Sequence, residues 1–150
     1  MSSTQAADGN PTQLSEAINT NQSSVDLQPL VMQIVVRRDL LDAEGWGTGP
    51  LMAQVAHATA AILHETRELT DTQLYLEDLK NMRKAILQTT DEKSLQRLGE
   101  LLQKCSPPVP YHLWIEQPEN IPTCIAIAPN RRDSRVRKAL DKSSCRLWRS

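Results

Sequence analysis

The stretch Leu30–Ala61, LVMQIVVRRDLLDAEGWGTGPLMAQVAHATAA, decides the fold. Its opening run, Leu30 to Val36, is nearly all apolar and rich in β-branched residues. So short a run reads as a strand covered on both faces. Arg37-Arg38-Asp39-Leu40 then puts charge at its C-terminal end, the edge at which open α/β sheets bind ligands. A loop with Gly45 and Gly47 around Trp46 leads into a helix. Thr48 or Gly49 suits its cap, and Pro50 its first position, where the missing N–H would be unsatisfied anyway. At about 100° per residue, Leu51, Met52, Val55, Ala56, Thr59, Ile62 and Leu63 gather on one face, which predicts the buried side. Gln54, His57, Ala58, Ala61, His64 and Glu65 occupy the other. An ordinary half-buried helix fits this pattern. So does a site, because an amide, an imidazole and small alanines admit close approach where free N–H groups favour phosphate or developing negative charge.

The chain of 150 residues has room for one domain, or for one domain with a tail. Residues 1–28 are rich in Ser, Thr, Gln, Asn and Asp, with Leu14, Ile18 and Val25 too sparse for a buried face. They read as a disordered leader ahead of a domain over 29–150. Phe is absent, so Leu, Ile, Val, Ala and three Trp must fill the core. No run is long enough to cross a bilayer, and nothing basic-then-apolar opens the chain as a secretory signal would. The absence of Lys and Arg before Arg37 argues against an organellar transit peptide. Cys105, Cys124 and Cys145 are widely spaced and form no CxxC, which suggests neither a disulfide framework nor a zinc site. The expectation is a cytoplasmic protein without metal or cofactor and without membrane contact. The net charge is −1, but from Arg131 onward eight Lys and Arg face only Asp133 and Asp141, a local excess of +6. That excess can meet phosphate or form a solvated helix face.

Further elements follow in order. After the first helix, expected to run to about Arg67, a second over Asp71–Met82 presents Leu74, Tyr75, Leu79 and Met82. A strand follows at Lys84–Gln88. Thr90 or Asp91 can cap a third helix bearing Leu95, Leu98, Leu101 and Leu102, an amphipathic stripe despite Gly99. Strands Tyr111–Gln117 and Thr123–Ala128 are linked too briefly for anything but antiparallel neighbours. In the second of them, small Cys124, Ala126 and Ala128 alternate with Ile125 and Ile127, and a helix can lie close on the small side. A last helix spans about Arg132–Lys142. The order predicts a three-layer α/β/α sandwich around a mixed four-stranded sheet.

No nucleophile elbow, phosphate-binding glycine loop, HExxH or paired-cysteine site is present. His64 stands too far from His57 for a metal pair, and His112 reads as an ordinary strand residue. Three segments in register nonetheless form a pattern. Val35-Val36-Arg37-Arg38-Asp39-Leu40 is followed by a loop with Gly49, then by Ala53-Gln54-Val55-Ala56-His57-Ala58. Thr123-Cys124-Ile125-Ala126-Ile127-Ala128-Pro129 closes the sheet. Together they resemble the type II peptidyl-tRNA hydrolases, in which a VVRxDL strand precedes a GKxAAQxxHA helix and a TVLGIGP strand ends the sheet. Leu113 to Ala126 resembles above all the subgroup called peptidyl-tRNA hydrolase domain-containing proteins.

The resemblance implies metal-free hydrolysis of the ester between a peptide and the tRNA 3′ ribose, with tRNA as partner and a homodimer as a possible assembly. Carried over, Gln54, His57 and Thr123 fall on the family's site residues and Asp39 on its strand-end acid. His57 would orient or deprotonate water, and Gln54 would hold the substrate carbonyl or the ribose. The helix N–H groups would support the oxyanion or a terminal phosphate. Two family charges are missing. The lysine before AAQ falls on Pro50, and the loop aspartate falls at Gln117 or beside it at Glu116, where the loop is shortened. Glu116 or Glu119 could replace the acid, and Arg37 the lysine. The sequence thus leaves two readings: an esterase, or a relative that keeps the fold to bind tRNA or a protein.

Overall fold

The computed structural model describes residues 28–150, so the leader expected over 1–28 lies, Gln28 apart, outside the described residues. Strand β1 (Met32–Arg37) is buried along its whole length, as its apolar run requires of a central strand. It pairs in parallel with β2 (Lys84–Thr89) and antiparallel with β4 (Ile121–Ile127). Strand β3 (Tyr111–Glu116) pairs antiparallel with β4, the short link between them reduced to Gln117–Asn120. A further strand, β5 (Arg146–Leu147), pairs antiparallel with β2 and completes the order β3-β4-β1-β2-β5. The sheet therefore has five strands rather than the four expected. Two residues are too few to show an alternating pattern. They are held by the Trp148 N–H, which donates to Ile86 O at 3.0 Å, and by the indole packed on the sheet.

Alternation along the strands sorts the core into two layers. Met32, Ile34 and Val36 of β1, with Cys124 and Ala126 of β4 and Ala128 just after it, face α2 (Thr48–Glu65) and α3 (Thr70–Glu77). Val35, Ile125 and Ile127 face α4 (Glu92–Gln103) and α5 (Ser134–Lys142). This is the three-layer sandwich anticipated, and the small side of β4 is indeed where a helix lies closest. In α4 the leucines at 95, 98 and 102 are fully buried, each contributing about 1.5–3 kcal/mol of apolar burial. Its cap is Asp91, whose side chain accepts from the Ser94 N–H at 2.9 Å.

The helix at the centre of the argument differs from expectation in two ways. It is capped by Gly47 and begins at Thr48, so Pro50 is its third residue, still within the first turn where an absent N–H is tolerated. Its buried stripe is Leu51, Gln54, Ala58 and Ile62, while Met52 is 65% exposed and Ala56 lies in solvent. The hydrophobicity count rotated the helix the wrong way. Leu51, Ala58 and Ile62 pack with Cys124 and Ala126, and Gln54 joins that face because its amide is bonded to Thr123 and Glu116. Smaller departures concern ends. The second helix stops at Glu77 and gives way to a 3₁₀ turn at Leu79–Asn81. A single helical turn, α1 (Asp39–Asp42), follows β1. No helix among the described residues is long and apolar enough to cross a membrane.

Candidate active site

Gln54 is 1% exposed, yet its carboxamide is satisfied on every side. Its Oε1 accepts from Thr123 Oγ1 at 2.9 Å, and its Nε2 donates to Glu116 Oε2 and to Pro50 O, the latter at 3.3 Å. The other Glu116 oxygen accepts from the Gln117 N–H at 3.1 Å. Gln54's bond above all holds the Glu116 carboxyl below the usual carboxylate range. Desolvation opposes it, while the Gln117 N–H and nearby His57 assist.

His57, one turn further along α2, is solvent-exposed and stacked on Trp114, with ring centroids 4.5 Å apart and planes 19° from parallel. His112 tilts against the same indole at 5.9 Å, and its Nδ1 lies 2.5 Å from Glu65 Oε1. The register explains the grouping. In β3 the even residues His112, Trp114 and Glu116 share the face that carries Ala126 and Cys124 in β4. The helix runs antiparallel to this strand, so Gln54, His57 and Glu65 meet Glu116, Trp114 and His112 in turn.

Gln54, His57, Thr123 and Glu116 are thus brought together. Arg37 and Asp39 are not. Arg37 is 6% exposed and binds Asp39 through two bonds of 3.1 and 2.8 Å. Its remaining nitrogen donates to Pro122 O at 3.0 Å and to Glu92 Oε2 at 3.4 Å. This guanidinium therefore fastens the start of β4 just ahead of Thr123, with no donor turned toward His57. Gly49 is exposed in the first turn of α2, and a Cβ there would meet nothing within 4 Å. Gln117 is exposed in the β3–β4 turn, its amide 3.4 Å from Asn120 Oδ1.

The start of α2 offers the N–H groups of Thr48 and Gly49, which no side chain caps. At 1.5 Å per residue they sit about 13 Å from the level of His57, on the opposite side of the helix. That is too far for an oxyanion forming beside His57, but it suits a phosphate on a longer substrate. Among the described residues no cluster of three or more His, Cys, Asp or Glu could hold a metal ion. Sequence reasoning missed Trp114, His112 and Glu65. Alternation through Tyr111–Glu116 could have placed His112 and Trp114 beside Glu116, but nothing local pairs them with α2.

Comparison with known proteins bears on this arrangement. A family model described as peptidyl-tRNA hydrolase PTH2 matches residues 30–142. The Mus musculus protein named "Putative peptidyl-tRNA hydrolase PTRHD1" is 46% identical over 108 residues, 71% of this chain and 76% of that relative. The Homo sapiens protein of the same name is 44% identical over 108 residues, with the same shares.

Proposed function

The chain belongs to the peptidyl-tRNA hydrolase PTH2 family, and from that premise we propose that it hydrolyses the ester between a peptidyl or acyl group and the 3′ ribose of tRNA. The observation that carries this reading is His57, an exposed imidazole oriented by the Trp114 ring beside a carboxylate held ionised. As a neutral base, His57 takes a proton from water as the water oxygen attacks the ester carbonyl. The bond to the ribose oxygen then breaks, and the imidazolium returns the proton to that oxygen. Glu116 favours the imidazolium formed midway through its negative charge. Thr123 and Gln54 are buried and act by positioning Glu116 rather than by meeting the substrate.

A second reading, tRNA binding without turnover, is favoured by one observation. Pro50 stands where the family carries lysine, and Arg37 is bound to Asp39, Glu92 and the Pro122 carbonyl. Single-turnover deacylation of an N-acetylated aminoacyl-tRNA separates the two. The wild type is expected to exceed the uncatalysed rate, and His57→Ala to lose about 100-fold or more. Equal rates at background would remove the esterase, and a tRNA affinity that persists in that case would establish the binding role.

A further inference from the structure

Opposite His57, the other flank of α2 borders a cavity of about 420 Å³, within the range of ligand pockets. Val36, Leu51, Met52, Val55, Ile86 and Trp148 line it, and Thr48 at its rim is the one polar residue. Exposed Met52 and Leu147 stand beside it, at 65% and 59%. A second cavity at the C-terminal strand is lined by Arg38, Asp42, Gln88, Arg146, Leu147 and Arg149. Arg38 lies over the Trp148 ring, 4.6 Å from its centroid, and is paired with Asp42 at 3.0 Å. Arg146 and Arg149 are exposed and make no ion pair among the described residues.

We propose that the Trp148 cavity, with Arg38, Arg146 and Arg149 beside it, takes an unpaired base and its flanking phosphates from the single-stranded 3′ end of an RNA. This rests on the reading of the site as one that meets tRNA. The charge decides the occupant. A purely apolar ligand has no use for Arg146 and Arg149, which no carboxylate pairs among the described residues, whereas single-stranded RNA joins flat apolar bases to phosphates at close intervals. The near absence of polar lining fits a base held by its faces and not read by its edges. The uncapped N–H groups of Thr48 and Gly49 at the start of α2, where Thr48 lines this cavity, offer the next phosphate a partner. The strand would cross the start of α2 where Gly47 and Gly49 leave room, and arrive at His57 with its terminal ester.

The test is anisotropy titration of a short fluorescein-labelled oligoribonucleotide ending in CCA against the full chain, repeated between about 50 and 200 mM salt. Trp148→Leu is expected to weaken binding roughly tenfold, the loss of one stacked base. Arg146→Ala and Arg149→Ala, surface changes with little call on folding, should each reduce the salt slope by about 0.7. Wild-type affinity and slope in all three variants would overturn the assignment, as would RNA that fails to bind where an acidic, apolar peptide does. The deacylation assay keeps the two proposals apart. RNA affinity that depends on Trp148 in a protein without turnover leaves the cavity assigned and removes the esterase. Turnover with an unchanged KM in Trp148→Leu removes the cavity alone.

Discussion

Gln54 ties side chains of two neighbouring strands to α2, Thr123 on β4 and Glu116 on β3. Truncating it to Ala leaves the buried Thr123 hydroxyl only the longer contact to Trp114 O at 3.5 Å and removes the chief bond to the carboxylate. Gln54→Ala should therefore lose about 1–3 kcal/mol of stability in urea denaturation. Glu116→Gln isolates the charge. Its folded-state pKa lies below the ordinary value, so the carboxylate is fully ionised at neutral pH and is neutralised only as pH falls through that lowered pKa. Near pH 7 we expect Glu116→Gln to reduce kcat about tenfold or more with little change in KM. The ratio of wild-type to variant rate should narrow only as pH falls through that lowered value. A KM effect alone would make Glu116 a substrate contact instead. That Gln54 and His57 stand one turn apart on the same helix was legible in the sequence, but that Gln54 is buried against Glu116 and Thr123 while His57 is exposed on Trp114 was not. The fate of Arg37 was not, because its partners Glu92 and Pro122 come from distant segments.

Among the elements, α4 shows how far local pattern reaches. Its leucine stripe was readable and its cap was narrowed to Thr90 or Asp91; the stripe is found, and Asp91 is the cap. Gly99 looked like a defect in that stripe. In the fold, a Cβ there would come within 3.2 Å of the Tyr111 ring, so the glycine is what lets β3 begin against the helix. Asp91 caps α4 and Asp133 caps α5. Both carboxyls are held below the ordinary range, Asp91 chiefly by the Ser94 N–H and Asp133 chiefly by the Arg135 side chain. Lowered folded-state values mean that this stabilisation is complete above the unfolded-state value near pH 4 and fades as pH drops through the folded one. Asp91→Ala should cost about 1 kcal/mol at neutral pH. Its disadvantage relative to wild type should narrow as pH falls through the lowered folded-state value and the wild-type carboxylate is itself protonated. Thermal denaturation from pH 7 down to 2 reads both effects, and a constant gap would show that the cap bond does not depend on ionisation. The rotation of α2 was the miss at this scale. Hydropathy ranks Met52 and Ala56 above Gln54, but the Gln54 amide finds partners on Thr123 and Glu116 that only the folded sheet supplies.

At the scale of the molecule, the layers and the mixed sheet followed from element order, because a parallel β1–β2 pair needs a helical crossover and a short link forces β3 and β4 antiparallel. What escaped was the C-terminal closure, since Arg146–Leu147 has neither length nor periodicity. Yet the final segment does structural work on both flanks. It pairs with the edge of β2, accepts the Arg38 guanidinium at the Arg149 carbonyl at 2.5 Å, and lays Trp148 against the layer that holds Val36, Leu51 and Ile86. Deleting residues 146–150 should therefore expose that apolar layer and bare the β2 edge. Half-burial of one indole together with the lost pairing is worth about 1–3 kcal/mol. For a domain of this size the midpoint should drop by roughly 3–10 °C, with increased binding of an apolar dye at temperatures where the fold persists. His57 and Trp114 lie on the far flank of α2, so their stacking should survive the deletion. An unchanged midpoint would mean that β5 contributes nothing to stability, and the tail would then matter only through its arginines.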